Sequence, residues 1–288
     1  MALKIKEAFR HITPPVLLSL WRKLFPIPNA SLPFKGNYND WQQAVDDSTG
    51  FDSHLIFEKV KNAALKVKNG TAVYEKDSII FDYIDYSWPV LASLLKTSIS
   101  SAGSLQVIDF GGSLGTTYRQ NKTFLDELPS LSWNIVEQKH FVDCGKQLFE
   151  DDKLKFYYTI EEAMADKKNI NCLLISGVYQ YLEKPVEWCK AVLTKNIQHI
   201  IFDRTSFIAD TKERIMVQNV PEHIYKAKIP CWFFIEEEFL QIMKTKYELV
   251  AYLDSHIDKP LETRDGKKLY YKGFYFTLKP SDSFPDLN

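Results

Sequence analysis

The chain has 288 residues, 45% of them hydrophobic, with 36 Lys and Arg against 37 Asp and Glu for a net charge of −1. This length and apolar content suit one α/β domain with an attached helical segment, since two full domains would be cramped. The near-neutral balance lacks the basic footprint of nucleic-acid binding, so nucleic acid is not expected as a partner. The four cysteines (Cys144, Cys172, Cys189, Cys231) show neither Cys-x-x-Cys pairing nor a histidine at zinc spacing, which reads as reduced thiols in a cytoplasmic protein. No histidine–carboxylate cluster at ligand spacing asks for a metal.

The start does not read as a secretory signal, and the apolar run Val16 to Trp21 is far shorter than the roughly 20 residues of a spanning helix. Lys4, Lys6, Arg10, Arg22 and Lys23 surround Ile5, Phe9, Leu17, Leu20, Leu24 and Phe25. The pattern fits a helix docked on the protein's own core first, and peripheral contact of residues 1–25 with an anionic membrane surface second. Asp52 or Ser53 can cap a helix with apolar positions Ile56, Val60, Ala63, Ala64 and Val67, which Asn69-Gly70 stops. The acidic and aromatic stretch Tyr74-Glu75-Lys76-Asp77-Ser78 follows, then Ile79-Ile80-Phe81 and a second helix through Trp88 to Leu95. Residues 1–100 thus read as a mostly helical extension, a lid or substrate-side element. The Ser-rich stretch Thr97 to Ser104 marks the boundary to a main domain over 101–288.

From residue 105 onward, strand-like and helix-like segments alternate, which predicts a parallel sheet with helices on both faces. Strands are predicted at 105–109, 133–137, 154–158, 171–176, 198–203, 247–253 and 269–278. The last two are long, lack a helical crossover and are joined by a polar loop with Asp265-Gly266, as in an antiparallel pair at a sheet edge. The first strand, Val107-Ile108-Asp109-Phe110, runs into Gly111-Gly112-Ser113-Leu114-Gly115. An acid at the carboxyl end of a buried strand, glycines for a tight turn and a glycine where the next helix approaches are the parts of a nucleotide-like cofactor site. Glycine spacing alone also makes ordinary loops. The context adds a second acid, Glu137, at the tip of the next strand. It falls 22 positions after Gly115 (137 minus 115), which suits a carboxylate receiving ribose hydroxyls.

Parallel strands, a Gly-rich turn after the first, an acid after the second and a terminal antiparallel pair together resemble the class I S-adenosylmethionine-dependent methyltransferases. The matching residues are Asp109 to Gly115, Glu137 and the run Leu173 to Leu182, and the likeness covers roughly residues 100–280. Gly112 and Ser113 stand where that family's Asp-x-Gly-x-Gly-x-Gly has x and Gly. More narrowly, residues 34–41, 74–78, 203–206 and 229–233 resemble methyltransferases of bacterial surface-polysaccharide gene clusters. The resemblance implies a Rossmann-like α/β fold with a mostly parallel seven-stranded sheet whose last strand is antiparallel, and S-adenosyl-L-methionine as cofactor. It implies that Gly111, Gly112 and Gly115, with Asp109, border the methionine part. It places Glu137 on the ribose, Gln138 beside the adenine, and Thr159 and Ile160 in the adenine pocket. Ser176, Gly177 and Tyr179 would face the sulfonium, with plain packing the other reading for Tyr179.

The chemistry such a site requires is in-line transfer, for which a hydroxyl acceptor must be aligned and its proton removed. Asp203 follows His199-Ile200-Ile201-Phe202 and should sit at the carboxyl edge of the sheet, as base. Arg204 either pairs with it or holds an anionic acceptor. His223, in the polar and aromatic segment between the fifth strand and the next helix, is the other base. Gln218, Tyr225, Glu75 and Asp77 are further acceptor contacts. The functional expectation is O-methylation of a sugar or other small-molecule or glycan acceptor. A non-catalytic methyltransferase-like scaffold in a polysaccharide assembly complex stands second. A nicotinamide-dependent oxidoreductase is disfavoured because Gly111-Gly112-x-x-Gly115 is not Gly-x-Gly-x-x-Gly.

Overall fold

A computed structural model describes residues 33–49, 54–221, 224, 227–255 and 258–280. The account below concerns the compact unit that begins at Phe34. The segment 1–25, with its two readings, and the capping pair Asp52 and Ser53 lie outside the described residues.

The unit opens with strand β1 (Phe34–Tyr38) and a short helix α1 (Trp41–Asp46), whose first turn is capped by Asp40 accepting from the Gln43 backbone N–H. Helix α2 (His54–Lys68) leads to the hairpin of β2 (Tyr74–Lys76) and β3 (Ile79–Phe81). The two residues at its tip, Asp77 and Ser78, have φ of 50° and 68°, the pair of left-handed conformations that a two-residue hairpin turn of matching twist requires. Helix α3 (Trp88–Ser100) starts at a proline in its first turn, where the missing N–H costs nothing. The alternation begins with β4 (Ser104–Phe110), α4 (Thr116–Leu125), β5 (Ser130–Val136) and α5 (Lys139–Leu148). It continues through β6 (Leu154–Tyr157), α6 (Ile160–Asp166), β7 (Cys172–Ser176), a single 3-10 turn at Tyr179–Tyr181 and α7 (Pro185–Leu193). Strand β8 (His199–Ile208) is followed by β9 (Arg214–Val220), β10 (Ala227–Phe233) and α8 (Glu236–Lys244). Strands β11 (Tyr247–Asp254), β12 (Leu261–Glu262) and β13 (Lys268–Leu278) complete the described elements.

All seven predicted strands form, and they make one sheet in the order β11-β13-β8-β7-β4-β5-β6, with β12 attached to β13. The pairings among β8, β7, β4, β5 and β6 are parallel, whereas β13 runs antiparallel to both β8 and β11. This is a mostly parallel, Rossmann-like sheet with an antiparallel last strand, as expected. The pair β11 and β13 is antiparallel as anticipated, but the later strand lies inside, between β8 and β11.

Side chains alternate between two cores, one per face. Val107, Trp133, Ile135, Leu174 and Ile201 pack with α2, α3, α4 and α5, while Ile108, Val136, Leu173, Ile175 and Ile200 pack with α6, α7 and α8. All four cysteines are buried and unpaired. No helix among the described residues is long and apolar enough to cross a membrane.

Strands β1, β9 and β10 form a separate three-stranded antiparallel sheet that the sequence pattern did not reveal. Pro230 lies within β10 and argues against a strand on composition, but β10 is the edge of that sheet, where a missing donor is tolerated. Phe34 packs edge-on to Phe233 at 4.9 Å, and Trp41 stacks on Trp232 at 6.0 Å, so the small sheet is tied to α1 by aromatic contacts.

Candidate active site

A cavity of ≈ 640 Å³ lies at the carboxyl ends of β4, β5, β7 and β8, the edge where open α/β sheets bind ligands. Its volume falls in the range of roughly 300–1,000 Å³ typical of small-molecule and cofactor sites. Ile56 and Val60 of α2, and Val220, Pro221, Ile224 and Ile229 around β9 and β10, supply an apolar wall. The three-stranded sheet therefore contributes to the site.

The turn after β4 exposes backbone to this cavity. Gly111 has φ of +73°, and a Cβ there would lie 2.4 Å from the Val178 Cγ2 methyl. A Cβ on Gly112 would lie 2.5 Å from Asp109 Oδ2. Ser113, at the position where the resembled motif has glycine, adopts φ of +53°, so the serine takes up the left-handed backbone and the turn keeps its course. Asp109 is 1% exposed and accepts from Trp133 Nε1 at 2.9 Å. Burial, with the Glu137 charge adding to it against the Trp133 bond, pushes the Asp109 carboxyl up to about 7.

Glu137 stands at the tip of β5 on the cavity wall and accepts from the Gln138 backbone N–H at 2.6 Å. Burial raises its carboxyl above the usual carboxylate range, opposed by the backbone N–H groups of Gln138 and Ser113. Gln138 lines the same end, together with Phe141 and Tyr158. Thr159 and Ile160 do not line it. Thr159 caps α6, its hydroxyl accepting from the Glu162 N–H at 3.1 Å, and Ile160 is buried in the core beside Ala163. Tyr158, one residue earlier, occupies the wall instead, its hydroxyl held by Asp143 at 2.7 Å. Gly115 also stays off the wall. It precedes α4 in a left-handed conformation and lets that helix approach Ile135 and Leu154.

At the other end, Ser176, Gly177 and Arg204 line the cavity. Thr205 pairs with Lys272 and Phe202 with Phe274, so Asp203 and Arg204 together oppose Gly273 alone, forming a β-bulge. Arg204 takes φ of +52° there, and Gly273 admits the close approach: a Cβ would meet the Phe202 carbonyl at 2.7 Å. The bulge breaks the alternation of β8. Asp203 remains buried and accepts from Ser176 Oγ at 2.7 Å, while Arg204 faces the cavity and pairs with Asp258 through Nε at 2.7 Å and Nη2 at 3.1 Å. Burial raises the Asp203 carboxyl against the opposing Ser176 bond and the Arg204 and Lys76 charges. Lys76, also on the wall, is lowered by burial and by Arg204.

Tyr179 is a structural residue here. It is 1% exposed and packs among Trp188, Phe202, Phe234 and Phe239, because the 3-10 turn directs it into the core and leaves Val178, Gln180 and Tyr181 on the cavity wall. His223 and Tyr225 lie outside the described residues. Gln218, Glu75 and Asp77 line the cavity, and Tyr181 donates to Gln218 Oε1 at 2.6 Å. Asp258 and Tyr271 carried no sequence signal, since each reaches the site from a loop or strand remote in the chain.

The sequence matches no protein-family model and no curated protein. Similar solved structures include a Burkholderia thailandensis 1,6-didemethyltoxoflavin-N1-methyltransferase with bound 1,6-didemethyltoxoflavin and S-adenosylhomocysteine. It has 10% identity and a TM-score of 0.43, over 88% of this chain and 98% of that one. A magnesium protoporphyrin IX methyltransferase from Synechocystis PCC 6803 with bound S-adenosylmethionine is similar at 11% identity and a TM-score of 0.41, covering 96% of each chain. The N-terminal domain of EvdMO1, solved in the presence of S-adenosylhomocysteine and D-fucose, is similar at 11% identity and a TM-score of 0.46, over 80% of this chain and 98% of that one.

Proposed function

We propose that the chain is an S-adenosylmethionine-dependent methyltransferase that acts on a hydroxyl of a small molecule, a sugar or glycan intermediate of surface-polysaccharide biosynthesis. The observation that carries the reading is the bare-backbone turn at Gly111 to Ser113 sharing one cavity with Glu137 at the tip of the adjacent strand. The residues fit the cofactor. Gly111 and Gly112 bring backbone without side chains to the cavity wall, and Glu137 offers an acceptor at the position that suits ribose hydroxyls. Phe141 and Tyr158 provide aromatic walls beside Gln138 for a base.

When bound, the cofactor supplies an electrophilic methyl group on a sulfonium. The protein's own residues orient the acceptor and take its proton. Asp203, held by Ser176 and raised by burial, is the base, and the proton reaches it through the Ser176 hydroxyl on the cavity wall. Arg204 is fixed by its two bonds to Asp258 and presents a rigid cation to the acceptor. Gln218, whose carbonyl is engaged by Tyr181, keeps its amide N–H groups for acceptor hydroxyls.

Calorimetry with S-adenosylmethionine and S-adenosylhomocysteine tests this reading, and the absence of heat at millimolar ligand would sink it. The variant Glu137→Gln keeps the shape but removes the charge. It is expected to weaken S-adenosylhomocysteine by about 10- to 100-fold, the scale of one charge-assisted hydrogen bond. Unchanged affinity would show that Glu137 does not hold the ribose. Quenching or enhancement of NADH fluorescence on titration would instead favour the oxidoreductase.

A further inference from the structure

Glu75 is a buried carboxyl with unfinished hydrogen bonding. It is 2% exposed, on β2, and contributes to the wall of the cavity. One oxygen, Oε1, accepts from the Thr116 hydroxyl in the first turn of α4. The other, Oε2, is shielded from solvent and has no hydrogen-bond partner. A buried carboxyl oxygen without a donor is costly, so such an atom calls for a partner that arrives with a ligand. The nearest ionic groups on the protein do not supply it. Arg119, from α4, attracts the Glu75 carboxylate by its charge, and the Ser78 backbone N–H also favours the charged form. But Arg119 spends Nη2 on the Leu114 carbonyl, lies over the Phe149 ring and gives Oε2 no hydrogen bond, and Asp77 carries the same sign as Glu75.

The donor's chemistry follows from what surrounds it. Thr116 and Thr117 line the cavity beside Glu75, and they begin α4, whose N-cap Gly115 offers no side chain to its first N–H groups. An uncapped helix start attracts a carboxylate, and a carboxyl oxygen lacking a donor attracts an ammonium. The two features together suit a zwitterionic α-amino acid group lying across the turn.

We propose that Glu75 Oε2 receives the α-ammonium of the cofactor's methionine part, with the α-carboxylate of the same group against the first turn of α4. The assignment rests on the methyltransferase reading. It makes the β2–β3 hairpin a part of the cofactor site, and Glu75 a binding residue for the cofactor in place of an acceptor contact.

Calorimetric titration with two ligands tests it: S-adenosylhomocysteine, and its deamino analogue, which keeps the carboxylate and lacks the α-ammonium. Wild type is expected to bind the deamino analogue about 10- to 100-fold more weakly, as for the loss of a hydrogen bond between charged groups. Glu75→Gln is expected to weaken S-adenosylhomocysteine by a similar factor and to leave the deamino analogue within about 3-fold of wild type, so that the ligand and residue changes are not additive. Equal losses for both ligands in Glu75→Gln, or no loss for either, overturn the assignment. Equal affinity of wild type for the two ligands does so without any variant. If wild type binds neither ligand, the cofactor reading itself falls, and the assignment with it.

Discussion

Gly111→Val is expected to abolish S-adenosylhomocysteine binding in the accessible range, with affinity falling by at least about 100-fold. The residue sits at φ of +73°, where a β-branched side chain is a backbone outlier costing on the order of 1–2 kcal/mol before any contact is considered. Its Cβ would then lie 2.4 Å from Val178 Cγ2, which is on the cavity wall. The neighbour cannot yield freely, because Val178 begins the 3-10 turn that buries Tyr179 in the aromatic core. Relief must come from the turn itself, whose Gly111 N–H is bonded to the Val136 carbonyl at 2.8 Å, so the surface that meets the ligand moves. Calorimetry at matched folded fractions checks this. Affinity within a few-fold of wild type would mean that the turn is an ordinary loop.

The second large effect concerns pH. Asp109 titrates near 7 in the folded chain and at 3.8 without its surroundings, so the folded state holds the proton where the unfolded state has lost it. For a raised acid the stabilising contribution is complete below the unfolded value and is lost as pH rises. Wild type should therefore lose on the order of 4 kcal/mol from this group between about pH 4 and pH 7, with no further loss above. Asp109→Asn keeps an acceptor for Trp133 Nε1 and removes the titration. Urea unfolding of both proteins at intervals from pH 4.5 to 8 isolates the group as the difference between the curves. The variant should gain on wild type steadily up to about pH 7. Parallel curves would show that Asp109 is not protonated in the folded state.

Much of this site was legible along the chain because its signals are local. The turn at Asp109 to Gly115 and the acid at Glu137 are read from residues within one β-α-β unit, and both reach the cavity. The chain alone says least where one residue's direction decides. Thr159 and Tyr158 are neighbours, yet the cap that Thr159 provides to α6 turns it away and leaves Tyr158 on the wall. Tyr179 and Gln180 differ in the same way, because the 3-10 turn sends the aromatic ring to the core. For Asp258 and Tyr271 no local pattern exists to read.

By itself the sequence determined the positions of the seven strands of the main sheet, the glycine turn and the acid opposite it, since hydrophobic period and turn chemistry act over a few residues. Tertiary structure alone decided the rest. It set β13 between β8 and β11, and it paired β1 with β9 across nearly two hundred residues, as in the pairing of Phe34 with Gln218. It placed two residues of β8, Asp203 and Arg204, against Gly273, which sends one to Ser176 and the other to Asp258. It also buried Glu75 with one oxygen lacking a partner. Strand pairing, bulge position and burial depend on which distant segments meet, and no window of neighbouring residues contains that information.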